Sequence, residues 1–371
     1  MSIALGRRAR PDINLPRWAR VLGALLGIVV AAFLLKVAYG VMRDDDANRL
    51  LVVVVAVLVG VIGVFGLFWL MDQIVDRLPA AWQRGVRPYV FVGPALVLLA
   101  VFLIYPVVNT ILLSFRDARG NEFVGFDNYK FVFTDDSMLR SLRNTAMWIV
   151  LVPAVAVTIG LLFATLADRL RRGEAVAKSF IFLPMAISFV GAAVTFRLIY
   201  SFRPEGFGTN VGLLNSIIGK FGHDPIPWLS KMPWNNFLLM VIMIWMQTGF
   251  AMVVLSSAIK SIPEDIIEAA RIDGATELQV FRYVTIPSIM STIVVVTTYM
   301  VINAMKVFDI VFVVGSAENN HTEVVAERMI RWFFVSDNDG RGAAIAVVLF
   351  LAVVPVMFWN VKRFRELESS R

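Results

Sequence analysis

The sequence predicts an all-α membrane protein on three observations. Fifty-eight per cent of the 371 residues are hydrophobic and the mean hydropathy is +0.73, which excludes a soluble globular chain. About eight apolar runs follow one another, each close to the ~20 residues that cross the hydrocarbon core as a helix. Basic residues cluster beside these runs, as topology signals do.

The runs cover about 21–42, 50–72, 89–114, 143–167, 179–200, 236–258, 288–314 and 343–361. The first follows a basic tail of Arg7, Arg8, Arg10, Arg17 and Arg20 against Asp12. It is too long for a typical secretory signal and lacks a small-x-small end, so it reads as a retained anchor. Lys36, near its far end, can snorkel to the interface. Asp44, Asp45 and Asp46 make the next turn acidic, whereas 73–88 and 168–178 are basic, as is the tail with Lys362, Arg363 and Arg365. Basic loops stay in the cytoplasm. Both termini are therefore expected inside, together with the 261–287 segment.

The net charge of +7 raises nucleic acid as a partner, but its distribution beside apolar runs argues membrane topology instead. There is no cysteine, so no disulfide or thiolate metal site forms. His223 and His321 lie in loops and make no metal cluster. No G-x-x-x-x-G-K-[ST] phosphate cradle is present, and no set of nucleophile and base marks an enzyme.

In the second half of the chain, the longest charged segment between two strongly apolar runs is Ser261 to Pro287. Ser261 with Glu264 reads as a capping box, and Pro263 suits a first turn. Ile262, Ile266, Ala269 and Ala270 recur at helical spacing. Asp273-Gly274 supplies a break, since glycine accepts the left-handed conformation. Thr276 and Gln279 read as a second capping box, and Leu278, Phe281 and Val284 continue a short second helix. Two short helices joined by a glycine elbow are expected, tied to the bilayer at both ends.

Glu268-Ala269-Ala270, Asp273-Gly274-Ala275 and Ile286-Pro287 resemble the EAA motif of permease subunits of binding-protein-dependent ABC importers. The resemblance implies a loop that docks in a cleft of a separate cytoplasmic ATPase and carries its motion to the membrane helices. It implies an ionic contact with the ATPase for Glu268; beside it, Ala269 and Ala270 are small enough for close approach of a partner, Asp273-Gly274 permits the elbow, and Pro287 opens the next apolar run. Runs three to eight, within 89–361, resemble the six-helix core of the sugar branch. Residues 1–88 would add a tail and two accessory helices, and 362–371 a cytoplasmic tail. Trp245 to Ser256 and Ala346 to Val353 resemble alpha-glucoside permeases, and Phe308-Asp309 also fits. The usual glycine-glycine-proline loop is replaced by Gly315-Ser316-Ala317-Glu318. Phe123, Gly125, Asn128 and Tyr129 match an external F-x-G-x-x-N-Y stretch.

The resemblance further implies an inner-membrane protein of a bacterium or archaeon. Its partners would be ATPase subunits holding Mg-ATP, a second and unlike permease, an external sugar-binding protein and lipid. This chain itself would bind no cofactor, metal or nucleic acid. For the substrate path, Gln247 near the middle of run six shares a face with Met243 and Phe250, and Asn303 in run seven lies one turn from Tyr299 and Met300. Amides match sugar hydroxyls as donor and acceptor, and flat rings pack on a pyranose. Interhelical hydrogen-bond glue is the alternative for Gln247 and Asn303. Lys306 and Asp309 are three apart and read as an ion pair in preference to a proton relay. A proton-coupled secondary transporter, or an ABC permease for a non-sugar solute, are the rival readings.

Overall fold

A computed structural model describes residues 36–43, 48–76, 79–170, 172–204, 211–315 and 321–369. The chain packs as two units, Met1–Pro106 and Val107–Arg371.

In the first unit, helices α1 (36–43), α2 (Arg49–Val75) and α3 (Ala80–Leu99) are described, with a π turn at Ala100–Ile104. The first apolar run otherwise lies outside the described residues. Valine and leucine lie all round α2, the pattern of a helix that faces lipid or protein on every side. It pairs with α3 through stacked rings of Phe68 and Phe91, 6.0 Å apart. The Arg87 guanidinium reaches both Asp72 (3.1 Å) and Asp76 (2.9 Å).

The division falls within α4 (Tyr105–Leu113), and the second unit holds the rest of it with α5 (Asp127–Thr134), α6 (Asp136–Asp168), α7 (Glu174–Phe182), α8 (Phe189–Ile199), α9 (Leu213–Lys220) and α10 (Trp234–Lys260). It continues with α11 (Glu264–Ile272), α12 (Glu277–Val280), α13 (Ile286–Ser288), α14 (Met290–Met305), α15 (Asp309–Val314), α16 (Val325–Phe334) and α17 (Asp339–Ser369). Among the described residues the only β pairing is an isolated bridge, Arg116 to Phe123.

Five helices among the described residues are long and apolar enough to cross a membrane, and two bent pairs make seven crossings if each counts as one. The fifth run is one such pair, bent by 96° between Glu174–Ala186 and Phe189–Ile199. Pro184 and the Ser188 cap, whose Oγ accepts from Gly191 N, start the chain anew there. The seventh run is the other, bent by 70° at Ile289.

That run is also not one helix to residue 314, as its apolar length predicts. It stops at Met305 and restarts at Asp309. The predicted Lys306–Asp309 pairing therefore does not form, and no ion pair joins the two among the described residues. Each charge complements a helix end instead, Lys306 at the C-terminus of α14 and Asp309 at the N-terminus of α15.

The core is built on α6, α10 and α14, and α10 meets both α6 and α7 at glycines. A Cβ on Gly160 would lie 2.5 Å from Ala251 Cβ, and one on Gly249 would lie 2.4 Å from Ile181 O. Small residues let membrane helices approach this closely, where packing and not hydrophobicity drives association. Trp148, fully buried, donates its Nε1–H to Asn236 Oδ1 at 2.9 Å and ties α6 to α10. At the far end, the F-x-G-x-x-N-Y stretch is a clasp. Asn128 Nδ2 donates to Ser114 O (3.0 Å) and Arg116 O (2.7 Å), and the Tyr129 hydroxyl bonds Ser114 Oγ at 2.6 Å. Gly125 takes φ +60° in the preceding turn.

Candidate functional site

The 261–287 segment folds as two short helices and an elbow. Helix α11 ends in a double backbone cap: Gly274 N–H donates to Arg271 O and Ala275 N–H to Ala270 O, both 3.1 Å. Gly274 sits at φ +81°, where L side chains are strained. Thr276 and Gln279 form the predicted capping box. The Thr276 N–H donates to Gln279 Oε1 at 2.7 Å, and Gln279 N–H to Thr276 Oγ1 at 3.4 Å. The first predicted box does not form. Ser261 is still the end of α10, its hydroxyl turned back to Ala258 O, and Pro263 occupies the N-cap of α11. With α10 running to Lys260, the link to α11 is too short for Ser261 to reach forward.

The hairpin is anchored on one side and open on the other. Ile262, Val280 and Ile289 are buried, and Ile267 packs on the core beneath. Glu268, Ala269, Asp273, Gly274 and Pro287 are exposed, and Ala270 is half-buried. Glu264, Ile267, Glu268, Arg271 and Ile272 line one shallow hollow of α11. Asp273, Gly274, Ala275, Gln279, Tyr283 and Val284 line another across the elbow. Ile272 is 79 % exposed and Leu278 73 %, so two large apolar groups flank the glycine in the open.

Ion pairs fasten the elbow. Glu277 accepts from Arg271 Nε at 3.0 Å and faces Arg169 Nη2, from the end of α6, at 3.3 Å. The 261–287 and 168–178 segments therefore lie at the same end of the bundle, as the charge pattern requires.

Deeper in the bundle, α10 and α14 divide the residues expected to line a substrate path. Phe250 and Tyr299 meet ring to ring, with centroids 4.5 Å apart. Tyr299 is 39 % exposed, and half-buried Asn303 lies one turn away, its Nδ2 donating to Tyr299 O at 2.8 Å. Met243, Gln247 and Met300 are buried among the helices of this chain. Gln247 is only 4 % exposed, and among the described residues its Oε1 has no partner. The structure thus joins Phe250, Tyr299 and Asn303 on a half-open face and sets the other three behind it.

Sequence reasoning missed a charged junction at the hairpin end, made of Asp168, Glu174, Lys178, Ser256 and Lys260. Lys178 Nζ lies 2.5 Å from Asp168 Oδ1 and 2.6 Å from Glu174 Oε1, and also donates to Ser256 Oγ. The Ser256 hydroxyl reaches Asp168 Oδ1 at 2.7 Å, and Lys260 pairs with Glu174. The four-residue spacing of Glu174 and Lys178 was its local signal. Among the described residues no group of three His, Cys, Asp or Glu is placed to hold a metal.

Comparison with known proteins agrees with this architecture. Residues 156–362 match the family described as binding-protein-dependent transport system inner membrane component. The osmoprotective compounds uptake permease protein GgtC of Synechocystis is 52% identical over 76% of this chain and 100% of its own length. The alpha-glucoside transport system permease protein AglF of Rhizobium meliloti is 42% identical over 85% of this chain and 97% of its own. In a solved bacterial ABC transporter involved in import of the acidic polysaccharide alginate, one chain shares the fold. Its TM-score is 0.67 at 21% identity, over 76% of this chain and 96% of that one. On its matched core, its relatives and its helical architecture, this chain belongs to the inner membrane components of binding-protein-dependent transport systems, the permeases of ABC importers.

Proposed function

We propose that the chain is one membrane subunit of an ATP-driven importer of small α-glucosides. It takes force from a separate ATPase through the 261–287 hairpin. The observation that carries this is the hairpin itself: a fixed elbow, anchored beneath and open above, with Glu268, Ile272 and Leu278 exposed around it. Carboxylates at the start of α11 and exposed apolar groups near the elbow give a partner both ionic and apolar purchase. The hairpin end is then cytoplasmic, with both termini, and Mg-ATP belongs to the partner. Within this reading, 89–361 is the six-helix core, 1–88 carries the accessory pair and 362–371 is a tail.

The face of Phe250, Tyr299 and Asn303 supports a path shared with a second permease, of unlike sequence. An amide and a phenol half-open at membrane depth are costly against lipid. A second subunit and a hydrated path between the two would solvate them. Rings and an amide suit a neutral, polyhydroxylated solute, with Met243, Gln247 and Met300 supporting that wall from behind. Relatives named for alpha-glucosides and for osmoprotective compounds support a small glucoside delivered by an external binding protein.

The test is uptake by proteoliposomes holding the chain with its ATPase, second permease and binding protein. Trehalose, maltose and a glucosylated polyol would be the labelled solutes. ATP-dependent uptake of at least one is expected, with loss of ATPase capture in Glu268→Lys. Uptake driven by a proton gradient without ATP would overturn the proposal.

A further inference from the structure

We propose that the Asp168–Lys178–Ser256 junction is a strut that passes hairpin motion into the bundle, with Asp168 and Lys178 as positioning residues for transport. This rests on the proposed role of the hairpin in meeting an ATPase.

The placement argues for transmission. Helix α10 ends at Lys260, and only Ser261, Ile262 and Pro263 separate it from α11. Any displacement of α11 therefore arrives at Lys260 within one short link. Lys260 reaches Glu174 at the start of α7 and lies 3.8 Å from Asp168 Oδ1. One turn up α10, Ser256 is buried and bonds both Asp168 and Lys178. The second arm of the hairpin converges on the same place. Glu277 of α12 faces Arg169, the residue after Asp168. The last residues of α6 thus receive both arms, Asp168 through α10 and Arg169 through α12.

The chemistry argues that these contacts are kept for a reason. The side chains of Asp168 and Lys178 are 12% and 18% exposed, and charges taken out of water cost several kcal/mol each unless well paired. Apolar groups would hold three helices together at less cost. An ionic junction instead fixes direction and register, because each bond needs a defined geometry. Lys178 makes three such bonds, to α6, to its own helix and to α10. Among the described residues the buried Oδ2 of Asp168 has no partner. The junction makes the feet of α6, α7 and α10 move as one body, so that a push on the hairpin is not dissipated by local slip.

The experiment uses the complete transporter in proteoliposomes. ATPase rates are read without and with solute-loaded binding protein, alongside uptake per ATP. Asp168→Asn and Lys178→Met are expected to keep the ATPase bound and its basal rate, but to lose at least roughly fivefold of the stimulation, the low end of usual intersite coupling. Lys178→Arg should recover most of it. Ser256→Ala, a milder change, should show a smaller loss and serves if the charge variants do not assemble. Stimulation at the wild-type level in Lys178→Met or Ser256→Ala, with only a lower melting temperature, would overturn the strut and leave a merely structural junction. A wild-type assembly that captures no ATPase would instead overturn the proposed function itself.

Discussion

Substitutions at Gly274 separate backbone strain from size at the elbow. The residue stands at φ +81°, and a Cβ added there meets no heavy atom of the described residues within 4 Å. The steric cost inside the chain is therefore nil, and what remains is the left-handed conformation, roughly 1–2 kcal/mol for an ordinary L residue. At the lower figure the formed elbow loses about fivefold against its unformed alternatives, since 1.4 kcal/mol is tenfold. Asparagine visits this region more readily than alanine, and a β-branched residue scarcely at all. The order of effect should then be Gly274→Asn, Gly274→Ala, Gly274→Val, from weakest to strongest. The chain has no cysteine, so Asp265→Cys and Tyr283→Cys allow clean spin-labelling on either side of the elbow. Label separation should broaden in that order, and ATP-driven uptake should fall in the same order. An asparagine variant worse than alanine would mean that bulk against a partner governs the position. A valine variant equal to wild type would refute the strain argument outright.

The same reasoning gives opposite signs at two helical glycines. Gly249→Ala drives a methyl into the backbone at Ile181 and Phe182, an overpacking that costs about 1–3 kcal/mol and should lower the melting temperature in detergent. Gly219→Ala in α9 meets nothing within 4 Å among the described residues and should stabilise by ~0.5–1 kcal/mol; destabilisation there would contradict the reading. Two carboxyls at the far end should differ in pH response. At Asp135, burial favours the neutral form, but hydrogen bonds from Ser137 and the Ser137 and Met138 amides, with Arg328 nearby, outweigh it and hold the pKa below the ordinary value. Its contribution is present above the unfolded pKa and lost as pH falls through the lower folded one. Asp135→Ala should cost about 1 kcal/mol as a lost helix cap, the difference vanishing in acid. At Glu327, burial outweighs the attraction of Arg331 and Arg328, aided by repulsion from Glu323, and raises the pKa. Its contribution is full below the unfolded pKa and lost as pH rises through the higher folded one. Wild type should therefore lose melting temperature relative to Glu327→Gln as pH climbs through that window, and a flat difference would exclude it.

What the sequence made legible was local. The elbow and the Thr276–Gln279 box depend on residues within one helical turn, so composition and spacing reveal them. The long spans follow from apolar length alone. The Ser261–Glu264 box failed because nothing local says that α10 continues to Lys260. Bends within the fifth and seventh runs were hidden for a related reason: an apolar run has the same composition whether straight or broken. The ionic junction was least legible, because Ser256 stands 88 residues from Asp168 and 78 from Lys178. Read alone, 168–178 was only a basic loop marking topology.

These features divide the second unit into a stiff part and a jointed part. Helices α6, α7 and α10 touch through Gly160 and Gly249 with no space for a methyl, and their feet are joined by charge. Helix α14 instead begins beyond a 70° bend and ends in a break before α15. The hairpin is continuous with both, through Ser261–Pro263 to α10 and through a π turn and α13 to α14. Between those joints α14 packs on α6 and α10 through buried Val296 and Met300, so a load applied at the elbow acts between helices tied at their feet and a helix jointed at both ends. Phe250 belongs to the first and Tyr299 to the second, and their rings meet 4.5 Å apart. That contact is where relative motion of the two parts alters the half-open wall. Freezing it, by crosslinking cysteines placed at 250 and 299, should stop transport while leaving the hairpin intact and able to hold an ATPase; sustained uptake in the crosslinked state would mean that the pivot lies elsewhere.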